Sequence, residues 1–179
     1  LHASLAPSEM CIRDRHTGVH AGKVDLFANH KVILTPLPSS ADWAVDKLIQ
    51  LWQAAKAEVI CMDVDKHDEV LAHTSHLPHL MAFNLVEQLA KREDNLDIFR
   101  YAAGGFRDFS RIAASDPQMW HDIFFANKKA VLNAVDGFEQ QLAIIRKLIE
   151  DEDSHALMGL LGHAQAARQH FNHMLAKKP

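Results

Sequence analysis

The chain has 179 residues, 48% hydrophobic and 23% charged, with a formal net charge of −4. That is the size and make-up of one globular domain, or one plus part of another, with enough chain to bury a core. It excludes a nonspecific nucleic-acid or membrane-surface binder, because no basic excess exists to meet phosphates, and no apolar run approaches the ~18 residues of a membrane span.

Residues 1–15 lack the charged-then-apolar order of a signal peptide, and two cysteines, Cys11 and Cys61, are too few for a disulfide framework. A reducing cytoplasm is the expected compartment. Two β-type runs come next. Lys31-Val32-Ile33-Leu34-Thr35 is stopped by Pro36 and Pro38, and Ala57-Glu58-Val59-Ile60-Cys61-Met62 is the second. Between them a helix is predicted, capped by Ser39 or Ser40, with Val45, Leu48, Ile49 and Trp52 on one face. Strand, helix and strand in that order belong to an α/β layer. Two strands do not make a stable sheet alone, so this piece is expected to be the edge of a larger one.

Past Asp63 the pattern is helical. One helix is predicted over 65–74, with a break or restart at Pro78, and another over 80–91, where Glu87 and Lys91 form an i,i+4 pair. Gly104-Gly105 reads as a loop. Asp116-Pro117 reads as a helix start, Asp capping and Pro taking the first position. In the long helix that follows, Val131, Val135, Phe138, Leu142, Ile145 and Ile149 recur at alternating spacings of four and three, the seam of a helix packed lengthwise on another. The acidic run 150–153 precedes Ser154, the expected cap of a last helix with Leu157, Leu160, Leu161, Ala164, Phe171 and Met174 on one side. The expected fold class is mainly α: an all-helical domain over 64–179, preceded by a short α/β remnant over 17–63.

The 13 histidines invite a search for chemistry. Ser75-His76-Leu77-Pro78-His79 places two imidazoles around a proline, and a neutral imidazole there exchanges a proton near pH 7 while an imidazolium binds an anion. Structural, hydrogen-bonded histidines are the plain alternative. His67-Asp68, with His73 and the pair above, also supplies metal donors, and the His-Asp dipeptide resembles the core of the metal-dependent HD phosphohydrolases. No closed ligand set at a standard spacing accompanies it, so no metal is expected. Gly104-Gly105-Phe106-Arg107-Asp108-Phe109-Ser110-Arg111 pairs glycines that let backbone approach a ligand with two arginines four apart, whose forks suit carboxylates. Solvated arginines on an amphipathic helix are the alternative there. Trp120, just after Asp116-Pro117, is expected in a core or an interface.

Together these segments resemble the prephenate dehydrogenase family, also called cyclohexadienyl or arogenate dehydrogenases, of tyrosine biosynthesis. The likeness rests on Ser-His-Leu-Pro-His at 75–79, Gly-Gly-Phe-Arg-Asp-Phe-Ser-Arg-Ile-Ala at 104–113, Ser115-Asp116-Pro117 with Met119-Trp120, and the runs 18–27 and 31–36. It covers about 17–149 and implies several things. The segment 17–63 is the edge of a dinucleotide-binding domain for NAD or NADP, and 64–179 is a substrate and dimerisation domain. Prephenate or arogenate undergoes oxidative decarboxylation, prephenate giving 4-hydroxyphenylpyruvate, and two copies form a homodimer with neither nucleic acid nor membrane as partner. By motif position, Arg111 binds a substrate carboxylate, His79 with His76 beside it lines the pocket, Gly104 lies along it, and Trp120 is a pocket or interface aromatic.

The sequence departs from the family at its start. No Gly-x-Gly-x-x-Gly fingerprint occurs, so the cofactor is expected to be held mainly by residues outside these 179. The family's His-Pro-x-x-Gly-Ser-Glu histidine, which polarises the substrate hydroxyl, falls by counting on Glu9, so no catalytic residue is assigned, and His2, His16 and His20 do not replace it. Residues 1–16 match nothing in the family, and Met-Cys-Ile-Arg-Asp-Arg at 10–15 reads like translated sequencing-adaptor sequence on a truncated frame. Two readings of another class stand beside the enzyme: a non-catalytic helical dimerisation module, and a metal-dependent hydrolase using the 67–79 histidines.

Overall fold

The computed structural model of the chain describes residues 3–5 and 25–176. The elements in order are β1 (Ala3–Leu5), β2 (Lys31–Leu34), α1 (Asp42–Ala54), β3 (Glu58–Cys61), α2 (Val64–Leu71), a π-helical turn (Ala72–His76), α3 (Leu77–Ala90), α4 (Asn95–Arg100), α5 (Gly104–Ser110), a 3-10 turn (Arg111–Ala114), α6 (Pro117–Ala126), α7 (Lys128–Glu150) and α8 (Ser154–Ala176). The chain is mainly helical, as its periodicity demands. It divides into two compact units, 1–134 and 135–179.

In the first unit, β2 and β3 pair in parallel, with Val32 opposite Val59 and Leu34 opposite Cys61. β1 adds an antiparallel edge strand, Ser4 opposite Ile33. Parallel neighbours need a crossover, and α1 supplies it. Val32 and Leu34 point into a small core with Ala57, and Leu48, Ile49 and Trp52 of α1 close it from above. The Trp52 and Phe27 rings meet in a T-shaped contact, centroids 4.9 Å apart. The helix start differs from the expectation of a serine cap. α1 is preceded by Ala41, whose side chain makes no capping bond. Ser40 Oγ is taken up earlier, accepting the Leu37 N–H at 3.0 Å in the turn that Pro36 and Pro38 enforce.

The expected break at Pro78 does not occur. Helix runs without interruption from Val64 to Ala90, and a π-turn absorbs the proline. Pro78 has no N–H to give, and in a regular α-helix its ring would press on the carbonyl four residues back. The wider turn just before it relieves that pressure, with the Leu77 N–H bonding the Ala72 carbonyl five residues earlier. Gly104-Gly105 is likewise not a loop but the first turn of α5, which starts after an extended Ala103. The 3-10 turn and α5 both pack on α3. Asp116 caps α6 as its sequence requires, accepting the Met119 N–H at 3.0 Å with Pro117 in the first turn.

α7 begins in the first unit, where Val131 and Ala134 are buried. In the second unit it is joined to α8 by a tight turn. The cap of α8 is Asp153, which accepts the Ala156 N–H at 2.9 Å, and not Ser154. Asp is the better acceptor at a positive helix end, and it lies one residue earlier. The apolar seam is there but only partly covered: Val135, Phe138 and Ile145 are half-buried, Leu142 is 52% and Ile149 59% exposed, and none of the described side chains of α8 is buried.

Candidate functional site

Asp63 sets the site's first element. Its carboxylate accepts the N–H groups of Asp65 at 2.9 Å and Lys66 at 3.2 Å, which starts α2 and places His67 and Asp68 at its middle. The His67 ring donates through Nδ1 to Asp68 Oδ1 at 2.9 Å. Its Nε2 is buried and meets no hydrogen-bond partner among the described residues.

One turn on, the π-turn carries Ser75 and His76 into the interior. His76 is 7% exposed. Its Nδ1 lies 3.2 Å from Asn127 Nδ2, and the same Nδ2 lies 2.8 Å from the Asp68 carbonyl oxygen. Burial pulls the His76 pKa down to about 4. Asp68 acts against that shift, and the neighbouring His67 and His79 add to it. His76 is therefore neutral at physiological pH.

His79 lies on the first turn of α3, past the proline. Its Nδ1 donates to the Ser75 carbonyl at 2.9 Å, so in the neutral ring the lone pair is on Nε2. The ring stacks on Trp120 from α6, centroids 3.7 Å apart and planes 21° from parallel. Trp120 is 1% exposed, it meets His76 in a T-shaped contact with centroids 6.2 Å apart, and Phe124 lies 5.6 Å away. The indole Nε1 is buried and finds no acceptor among the described residues.

Of the residues singled out in the sequence, the structure brings His76, His79 and Trp120 into one cluster. Pro78, which lies between the two histidines, leaves both within reach of the same indole. Arg111 opens the 3-10 turn that packs on α3, and its side chain is exposed, as is Arg107 one turn earlier. Gly104 is at the start of α5, where an added Cβ would meet nothing within 4 Å, so packing inside this chain does not demand a glycine. Glu9, together with His2, His16 and His20, lies outside the described residues. Among the described residues no three of His, Cys, Asp and Glu gather as metal ligands, and His73 faces outward, which leaves the hydrolase reading without a ligand set. Asn127 was not foreseen. Its only signal was position, an Asn at the end of a helix just past Ala126, where a capping residue is the ordinary reading.

Residues 63–163 match the family model described as prephenate dehydrogenase, dimerization domain. The chain belongs to that family. It is 35% identical over 166 residues to a cyclohexadienyl dehydrogenase of Zymomonas mobilis, covering 92% of this chain and 57% of the relative. It is 39% identical over 142 residues to a prephenate dehydrogenase of Bacillus subtilis, covering 79% of this chain and 38% of that one. Among solved structures, prephenate dehydrogenase from A. aeolicus in complex with hydroxyphenyl propionate and NAD+ superposes with a TM-score of 0.77 at 38% identity, over 82% of this chain and 52% of that one. The chain thus spans about half the length of the relatives it matches. No helix among the described residues is long and apolar enough to cross a membrane.

Proposed function

We propose that this prephenate dehydrogenase family protein carries out the NAD(P)-dependent oxidative decarboxylation of prephenate to 4-hydroxyphenylpyruvate in tyrosine biosynthesis, in the cytoplasm. The described chain supplies the substrate half-site and the dimerisation helices. The observation that carries this reading is the His79–Trp120 stack, in a chain whose solved relative is described with hydroxyphenyl propionate and NAD+.

The residues divide the work by their chemistry. Aromatisation of the ring drives the reaction, so the protein has chiefly to orient the ring and hold its carboxylates. Arg111 is exposed and free to meet a carboxylate with a two-pronged guanidinium contact. Trp120 and His79 form a rigid aromatic wall, and Nε2 of neutral His79 accepts a hydrogen bond from a substrate hydroxyl or, when protonated, donates to an anion. His76, neutral and buried behind Trp120, completes the wall without adding charge. The first turn of α5 at Gly104 offers backbone a ligand can approach closely.

NAD(P)+, when bound, accepts the hydride. The described residues do not fit its pyrophosphate. β2 runs into Thr35-Pro36-Leu37-Pro38, which has no glycine and two residues without an N–H to offer a phosphate, and α1 starts at Ala41 without a side-chain cap. The 179 residues alone are therefore expected to bind NAD(P) weakly and to turn over little prephenate. Measurable turnover by the purified chain would refute that part of the proposal.

The second reading, a non-catalytic dimerisation module, shares its dimerisation helices with the first and parts from it on catalysis; the shared part has its own support. The α7 seam leaves Leu142 and Ile149 exposed, and Leu161, Phe171 and Met174 of α8 are 53%, 47% and 54% exposed. A second copy of the chain covers such faces most economically.

Calorimetric titration of prephenate into the purified chain tests the proposal, with Arg111→Ala and Arg111→Lys as controls. Binding that disappears in Arg111→Ala and is only partly kept in Arg111→Lys supports it. Equal binding by all three removes Arg111 from the site, and no binding by the wild-type chain overturns the preformed half-site.

A further inference from the structure

We infer that Asn127 is a positioning residue of the substrate site: its carboxamide spans from the Asp68 backbone carbonyl to His76 Nδ1, and by doing so fixes which nitrogen of His76 carries the proton and seats α6 so that Trp120 covers His79. As a statement about substrate, this rests on the function proposed above; as a statement about ring geometry it stands alone.

A chain of donors and acceptors leads to it. The Asp68 carbonyl oxygen only accepts, so the Asn127 atom 2.8 Å from it is the amide nitrogen and not the oxygen. That orientation leaves the second proton of the same nitrogen directed at His76 Nδ1, 3.2 Å away. Nδ1 must then offer a lone pair, and the proton of the neutral ring sits on Nε2. A protonated His76 would set an N–H against an N–H. The carbonyl of residue 68 thus dictates the tautomer of residue 76 through a side chain 51 positions further along the chain. The groups around the ring are Asp68 and His67 from α2 and His79 from α3, with Trp120 on the α6 side.

The second effect is mechanical. Asn127 follows the last residue of α6, and Trp120 is seven residues before it, two helical turns along the same face. α6 is held to the α2–α3 helix at both points, by hydrogen bonds at Asn127 and by the ring stack at Trp120. Releasing the Asn127 end lets the helix pivot about Trp120, and an aromatic stack at 3.7 Å tolerates little displacement. Asn127 is itself buried, so nothing in solvent replaces its two bonds.

The test uses imidazole 15N spectra of the 179-residue chain, wild type and Asn127→Asp and Asn127→Leu, followed by prephenate titration of each. In the wild type, His76 is expected to show a protonated Nε2 and a bare Nδ1, and His79 ring protons an upfield shift from the Trp120 face. Asn127→Asp is expected to move the His76 proton to Nδ1, because a carboxylate accepts where the amide donated. Asn127→Leu is expected to lose the His79 shift while helical circular dichroism is retained, and to weaken prephenate binding about tenfold, the loss that one unsatisfied buried partner implies. A wild-type His76 protonated on Nδ1 overturns the inference, and so does a His79 shift unchanged in a folded Asn127→Leu chain. If Asn127→Leu fails to fold, the wild-type tautomer and the Asn127→Asp spectrum still decide it. If wild-type chain shows the expected spectra but binds no prephenate, the geometry stands and the preformed substrate half-site of the proposed function fails.

Discussion

The ring of His79 lies flat on the indole of Trp120 at 3.7 Å, although the two residues come from different helices and a proline directly precedes His79. Trp120 is almost completely buried, and its Nε1–H has no acceptor among the described residues. Two substitutions separate these features. Trp120→Ala removes the largest buried side chain and is expected to cost about 3–5 kcal/mol of stability. Trp120→Phe keeps a ring against His79 and deletes the stranded donor, so its cost is expected below about 1.5 kcal/mol. Urea denaturation of both variants checks this; equal costs would mean that the stack contributes little.

Pro78 and the π-turn before it form a second unit. The wide turn places Ser75 and His76 inside while His79 still reaches Trp120. With Pro78→Ala the steric reason for the wide turn is gone, and α-helical hydrogen bonding regains a donor. The variant is expected to match or exceed wild-type thermal stability and to bind prephenate more weakly, because the two histidines lose their common orientation. Calorimetry and melting curves together test this, and unchanged binding would show that the turn does not depend on the proline.

Asp116 illustrates a contribution of known scale. Its carboxylate accepts the Met119 N–H at 3.0 Å at the positive end of α6, the helix that carries Trp120. Asp116→Ala is expected to cost about 1 kcal/mol, while Asp116→Asn costs a few tenths, since Asn caps nearly as well. Denaturant midpoints of the pair distinguish a cap from a charge effect.

His76 makes stability depend on pH in a definite direction. Unfolded, it takes up a proton near its ordinary 6.5; folded, burial delays uptake to about 4. Between those values the unfolded chain binds more protons, so stability falls as pH is lowered through this window. Once both states are protonated the loss is on the order of 3 kcal/mol. His76→Gln should lack this component. The difference in folding free energy between wild type and variant is expected to be constant above about pH 7.5 and to shift against the wild type from pH 6.5 to 4. A parallel pair of pH profiles would exclude His76 as the group responsible.

Much of this was legible in the sequence. The strands at 31–34 and 58–61, the crossover helix between them, the Asp116 cap and the Glu87–Lys91 pair, which closes at 2.8 Å, follow from local patterns whose energetics act over a few residues. So do the residue types of the site, since Ser-His-Leu-Pro-His and the Gly-Gly-Phe-Arg run stand out as motifs. What escaped is of two kinds. Competition between neighbouring acceptors decided the α1 and α8 starts, where Ser40 was occupied elsewhere and Asp153 outcompeted Ser154. Tertiary context decided the rest. Pro78 reads as a helix breaker unless a π-turn is available, and the bond from Asn127 to His76 joins residues whose spacing has no periodic signature.

α7 changes surroundings along its length. Val131 and Ala134 are shielded within a single chain, whereas Leu142 and Ile149 further along the same helix are more than half exposed. If a second copy covers the exposed side chains, the two ends of one helix obey different laws. The beginning is as stable at nanomolar as at millimolar concentration; the end is subject to mass action and gains stability only where protomers meet. Dilution should then fray α7 from its C-terminal half while leaving the histidine–tryptophan cluster intact, so that a melting curve broadens on dilution rather than simply shifting.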